Sequence, residues 1–186
     1  MKQRESRSDL RSALPPGELW IFGYGSLMWR PGFHFVQKEI ARLYGFRRSL
    51  CVWCHEHRGT PTNPGLVFGL DAGGSCSGIA YRVADRNKQA VLEYLYEREM
   101  INPVYVPRWL PIRLERCHTV RALTFTTDRS HEQYAGYLGV EQIAVVVRRA
   151  RGRSGHNVDY LTNTVTRLAE LGIRDRLLMR ILKTIG

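Results

Sequence analysis

The order of local patterns along the chain constrains its fold more than any single motif. Residues 18–22, Glu-Leu-Trp-Ile-Phe, read as a short strand rich in large apolar side chains, and strand patterns follow over about 38–55, 65–70 and 77–83. Residues 86–100 carry a helical pattern, and 104–115 and 118–126 read as two further strands. The tail is helical over roughly 139–150 and 156–185, interrupted by Arg153-Ser154-Gly155. Strands, one helix, more strands and then helices do not make the regular βαβ alternation of a doubly wound sheet. The expected class is therefore α+β, a mixed α/β architecture.

The chain's 186 residues suit one domain, since single hydrophobic cores usually span about 100–200 residues. Hydrophobic residues at 44% and charged residues at 24% allow an ordinary core and exclude wholesale disorder. No run approaches the roughly 18 apolar residues that would span a bilayer, and the first segment lacks the apolar centre of a secretory signal. A cytoplasmic protein without membrane association is expected, with residues 1–17, ending in Pro15-Pro16-Gly17, as a flexible leader and 18–186 as the domain. The net charge of +11 comes from 28 basic residues of which only four are lysines. An arginine excess suits anion recognition, because the guanidinium binds bidentately, and it equally follows from codon usage in a GC-rich genome. The basic residues are scattered, so the charge fits an acidic small molecule better than nucleic acid.

Four cysteines do not make a disulfide framework. Cys51-Val-Trp-Cys54-His55 matches the pattern for covalent haem attachment, with His57 as an added ligand candidate. That attachment needs export, for which there is no signal. A strand would also aim Cys51 and Cys54 to opposite faces, and Cys76 and Cys117 form no second pair. Neither a metal nor a cofactor is expected.

Two features carry chemistry. The first strand runs directly into Gly23-Tyr24-Gly25-Ser26-Leu27, followed by Met28. Met28 leaves the dinucleotide fingerprint incomplete, no Gly-Lys-Ser/Thr follows, and Ser26 is not in a nucleophile elbow. What remains is either a tight structural turn or a loop whose backbone N–H groups face an anion. The second feature is the helix at 86–100. At about 100° per residue, Val91, Leu92, Tyr94 and Leu95 share a stripe, Glu93 and Glu97 face solvent, and Glu99 falls within the apolar stripe. A carboxylate there is a structural ion pair with Arg98 or another arginine, a group freed by helix fraying, or a general base whose pKa is raised by desolvation. The stretch from His55 to Pro61 reads as a solvated turn, and Ser154-Gly155-His156-Asn157 as a capped helix start. Tyr24, Tyr105, Tyr134 and Tyr160 are packing residues or polar contacts to a substrate.

Together these segments resemble the ChaC family of γ-glutamylcyclotransferases, which act on glutathione. The resemblance runs from about Glu18 to Leu182. Its carriers are the run from Trp20 to Trp29, His57-Arg58-Gly59-Thr60-Pro61, Tyr94-Leu95-Tyr96-Glu97-Arg98-Glu99, Tyr134-Ala135-Gly136, and the run from Ser154 to Leu161. Two departures stand out: Met100-Ile101-Asn102-Pro103-Val104-Tyr105 replaces a shorter Lys-Gly-Gly-Tyr, and His156 precedes Asn157 where glycine or proline is frequent. The resemblance implies a γ-glutamylcyclotransferase-like fold, with a small, partly closed β-barrel and flanking helices. It further implies cleavage of glutathione to 5-oxoproline and cysteinylglycine by a cofactor-independent, monomeric enzyme. Glu99 would be the catalytic residue, and Ile21, Phe22, Gly23, Tyr24, Gly25, Ser26 and Leu27, with Arg58 and Tyr134, would bind the substrate. The alternatives are a cyclotransferase for other γ-glutamyl amides, a non-enzymatic binding or regulatory protein, and, on charge alone, a nucleic-acid binder.

Overall fold

A computed structural model describes residues 17–116 and 118–186 of the chain. The expected leader, apart from Gly17, and Cys117 lie outside these residues. Five strands close into a barrel in the order β1-β3-β2-β4-β5: β1 (Leu19–Gly23), β2 (Gln37–Cys54), β3 (Gly65–Val83), β4 (Tyr105–Leu114) and β5 (Thr119–Thr127). The small barrel expected from the family resemblance is therefore present, and it closes. Strand β1 is paired on both sides, antiparallel to β3 with Ile21 opposite Tyr81, and parallel to β5 with Ile21 opposite Leu123. All five of its residues are buried, so its unbroken apolar run is the pattern of a strand with no face left for water. β2 pairs antiparallel with β4, Leu43 opposite Ile112.

The chain divides into two compact units, one running to Arg47 and including Ala72–Thr126, the other comprising Arg48–Asp71 and Thr127–Gly186. The first has Ile21, Phe22, Leu43, Tyr81, Ile112 and Phe125 at its core. It also carries the helix α1 (Lys88–Glu99), entered through a 3₁₀ turn at Asp85–Asn87, which buries Val91, Leu92 and Leu95 as the periodicity requires. The second holds α2 (Val140–Arg149), a two-residue hairpin of β6 (Arg151–Gly152) and β7 (Gly155–His156), α3 (Asn157–Glu170) and α4 (Arg176–Ile185). There α2 packs on α3 and α4.

Three sequence expectations need correction. Residues 65–70 and 77–83 are not separate strands but the two ends of β3. The intervening Asp71-Ala72-Gly73-Gly74-Ser75 has turn composition, yet Gly73 (φ 98°) and Gly74 (φ 76°) take up a bend inside the strand. Next, the tail from 156 is two helices. After α3 the Ile173 N–H reaches the Leu168 carbonyl at 2.8 Å and the Gly172 N–H that of Ala169 at 2.9 Å, the paired bonds of a Schellman ending. Asp175 then caps α4 by accepting the Leu178 N–H at 3.2 Å, and its carboxylate pairs with the buried Arg48 at 2.8 Å. Finally, the Ser154-to-Asn157 block does not cap α3 through a side chain; the N-cap is His156. Asn157 is instead fully buried. Its Oδ1 accepts the Leu66 N–H at 2.7 Å and its Nδ2 donates to the Leu66 carbonyl at 2.8 Å, as a neighbouring strand would.

Candidate active site

The glycine loop is built at the end of β1. Thr124 on β5 donates its hydroxyl to the Phe22 carbonyl at 3.0 Å, which fixes the strand's last residues. The chain then turns through a 3₁₀ segment at Ser26–Met28, closed by Met28 N–H to the Gly25 carbonyl at 2.9 Å and Arg30 N–H to the Ser26 carbonyl at 2.8 Å. Tyr81 anchors this turn from β3 by donating its hydroxyl to the Met28 carbonyl at 2.7 Å, and burial pushes that phenol up to about 12. Neither Gly23 nor Gly25 is left-handed. Gly23 is required by contact, because an added Cβ would sit 2.9 Å from Leu27 Cβ. An added Cβ at Gly25 would meet no atom within 4 Å. Its backbone is open to approach. Among the described residues the N–H groups of Gly25, Ser26 and Leu27 have no acceptor, so three donors sit together on one turn.

The side chains of the loop divide by burial. Ile21 and Phe22 are 0% exposed, and Gly23, Tyr24 and Leu27 are also buried. Ile21, Phe22 and Leu27 therefore belong to the packing, and what they can offer a ligand is backbone. Ser26 is exposed, and its hydroxyl is the polar side-chain group the loop presents.

Glu99 ends α1, its side chain 19% exposed. Burial pushes its carboxyl above its ordinary value near 4.5, against the opposing charge and hydrogen bond of Arg98, whose Nε lies 3.1 Å from Glu99 Oε1. Arg98 also reaches the glycine loop, its Nη2 donating to Ser26 Oγ at 2.9 Å. The helix end and the loop are thus joined within the first unit through one guanidinium. The features that the ion-pair and general-base readings of Glu99 each start from are both present: Arg98 pairs with the carboxylate, and burial raises it. Glu97 is exposed as expected, whereas Glu93 is half-buried and accepts from Gln89 at 2.7 Å.

Arg58 and Tyr134 lie in the second unit, each engaged within it. Arg58 Nη1 donates to the carbonyls of Ser154 at 2.6 Å and His156 at 3.3 Å, with its guanidinium 5.3 Å from the Tyr160 ring centre. Tyr134 donates to the buried Asp71 Oδ1 at 3.0 Å, an oxygen that also takes Arg129 Nε at 2.7 Å, and burial raises its phenol. Cys51 is buried with its thiol 3.8 Å from the Thr127 hydroxyl, while Cys54 is half-buried and accepts the Arg58 N–H. Among the described residues no group of three His, Cys, Asp or Glu side chains could hold a metal. Sequence reasoning named Arg98 only as an ion-pair partner and did not single out Tyr81. A tyrosine in a strand and an arginine beside a glutamate carry no signal of their long-range contacts.

The ChaC-like protein family profile matches residues 19–186, the whole stretch that carries the loop and the helix. The chain belongs to the ChaC-like family. Curated relatives include the glutathione-specific gamma-glutamylcyclotransferase of Escherichia coli strain K12, 36% identical over 159 residues that cover 86% of this chain and 69% of that protein. The glutathione-specific gamma-glutamylcyclotransferase 1 of Homo sapiens is 33% identical over 78% of this chain and 68% of its own length. The crystal structure of the yeast gamma-glutamyl cyclotransferase specific to glutathione superposes with a TM-score of 0.80 at 24% identity, covering 90% of this chain and 95% of that one. That match establishes a shared fold for this ChaC-like chain.

Proposed function

We propose that this chain is a glutathione-specific γ-glutamylcyclotransferase that releases 5-oxoproline and cysteinylglycine, with Glu99 as its general acid and base. The observation that carries the reading is the half-buried Glu99 carboxyl, raised by desolvation and tied through Arg98 to the glycine loop. The names of the curated relatives support the substrate.

The α-ammonium of the substrate gives a proton to the Glu99 carboxylate, and the freed amine attacks the γ-amide carbonyl carbon. The new C–N bond closes a five-membered lactam, and the carbonyl oxygen takes up negative charge. When the tetrahedral intermediate collapses, the original amide C–N bond breaks and the cysteinyl nitrogen leaves with a proton returned by Glu99; the ring nitrogen gives up its second proton to the freed carboxylate, and that proton ends on the released amine as its ammonium. Because nucleophile and electrophile belong to one molecule, holding them in the reactive conformation supplies much of the acceleration. The chemistry requires no redox change and no added nucleophile. The N–H groups of Gly25, Ser26 and Leu27, without an acceptor among the described residues, suit the α-carboxylate or the developing oxyanion. A carboxyl with a raised pKa is matched to this work, since it must both take and return a proton near neutral pH.

The assignment of Arg58 and Tyr134 to the substrate rests on the family resemblance alone. No helix is long and apolar enough to cross a membrane, and Cys51, Cys54 and Cys76 are free thiols. A reducing cytoplasm suits them. A cytoplasmic location, a monomeric state, and a leader at 1–17 ahead of the domain at 18–186 complete the proposal. The deciding experiment incubates the protein with glutathione in excess chelator and follows 5-oxoproline and cysteinylglycine by mass spectrometry, with γ-glutamyl-alanine as comparator. Stoichiometric release of both products is expected. No 5-oxoproline from folded protein refutes the enzymatic reading, and faster turnover of the comparator refutes the glutathione specificity.

A further inference from the structure

Arg98 makes more contacts than an ion pair with its neighbour requires. Its Nε faces Glu99 Oε1 at 3.1 Å and its Nη2 donates to Ser26 Oγ at 2.9 Å. Its Nη1 lies 2.7 Å from the Arg30 carbonyl, 2.8 Å from the Tyr94 hydroxyl and 3.3 Å from the Pro31 carbonyl. All three nitrogens of the guanidinium are therefore committed, and its plane is set by groups on both the helix and the loop. Tyr94 is itself held edge-on to Phe33, with ring centres 6.4 Å apart.

We propose that Arg98 is a positioning residue for the cyclisation, fixing the 26–31 segment and the Glu99 carboxylate to one another. This rests on the cyclotransferase reading. Glu99 serves a reaction in which one carboxylate must meet the α-nitrogen first and the leaving nitrogen later. Its place relative to the loop that holds the substrate therefore has to be set in advance, and an error of about 1 Å can cost a hundredfold. Arg98 also sets the state of Ser26. A guanidinium has no acceptor capacity, so Ser26 Oγ must accept from it and its own O–H is turned elsewhere. Among the described residues nothing takes that proton, which leaves Ser26 as a donor beside the free backbone N–H groups of the loop. Among the described residues, Arg98 is also the charged group that acts on the Glu99 carboxyl, and it acts to lower it.

The test compares wild type, Arg98→Gln, Arg98→Lys and Glu99→Gln for glutathione turnover across pH, with folding checked by thermal melting. Arg98→Gln is expected to lower kcat about ten- to a hundredfold, with a smaller change in KM. The acid limb of kcat/KM should move to higher pH, because the charge that lowers Glu99 is gone. Arg98→Lys should restore the limb but not the rate, since one ammonium cannot hold all of these acceptors at once. A merely structural role would leave the limb where it was. Values of kcat within about threefold of wild type in both folded variants, or an unmoved limb in Arg98→Gln, overturn the assignment. If neither variant folds, Tyr94→Phe decides, because it deletes one acceptor of Arg98 and keeps the ring: a lower kcat supports the assignment and an unchanged kcat overturns it. An inactive wild type overturns the cyclotransferase reading itself, and a fully active Glu99→Gln overturns the role of Glu99; either result takes the role of Arg98 with it.

Discussion

Replacing Glu99 by Gln keeps the volume of the side chain and an oxygen for Arg98 while removing the group that titrates. General acid–base groups typically contribute about 10²–10⁴-fold, roughly 2.7–5.4 kcal/mol of barrier, and Glu99 is asked to act in both directions. Formation of 5-oxoproline should therefore fall by at least about a hundredfold. Glutathione binding, followed by calorimetry, should persist, because the loop donors are untouched. Stability offers an independent check. Burial raises the Glu99 carboxyl above its ordinary value near 4.5, so folding favours its protonated form. The stabilising contribution of this group is present at pH below that value and is lost as pH rises through the raised folded value. Wild type should therefore lose stability relative to Glu99→Gln between pH 4 and neutrality, as read by urea unfolding of both proteins. Glu97→Gln is the matched control, since Glu97 sits exposed on the same helix. Near-normal turnover by Glu99→Gln, an equal loss in Glu97→Gln, or a wild-type stability that rises relative to the variant over that pH range would refute the argument.

The two loop glycines should separate. Gly25→Val, where a Cβ meets no atom within 4 Å, should fold normally and raise KM by crowding the open backbone, whereas Gly23→Ala should destabilise by about 1–3 kcal/mol through its contact with Leu27. Equal melting temperatures for the two variants, or an unchanged KM in Gly25→Val, would contradict this. Asn157→Ala strips the Leu66 N–H and carbonyl of their buried partner, and the expected loss is at least about 2 kcal/mol in denaturant unfolding. A loss within about 0.5 kcal/mol, the range of neutral surface changes, would show that those groups find other partners.

The amino-acid pattern by itself determined the α+β class and, to within a residue or two, β1, β2, α1, β4 and β5, because each carries a local period or an unbroken apolar run bounded by turn residues. It also determined that Glu99 lies on the apolar side of its helix, since helical geometry places residue 99 over residues 95 and 91. It could not join the two ends of β3, because a pair of left-handed glycines has the composition of a turn whether the chain reverses or merely bends. It could not distinguish a capping asparagine from one that bonds to a strand 91 residues away, as Asn157 does. What Glu99 faces was likewise beyond it. The contact between Arg98 and Ser26 spans 72 residues, and the anchoring of the glycine loop by Tyr81 spans 53. Side-chain partners that distant leave no periodicity in the sequence. They are set when the barrel closes and brings the end of β1, the strand β3 and the last turn of α1 into contact, and only then does a carboxylate beside an arginine become a group linked through that arginine to the glycine loop.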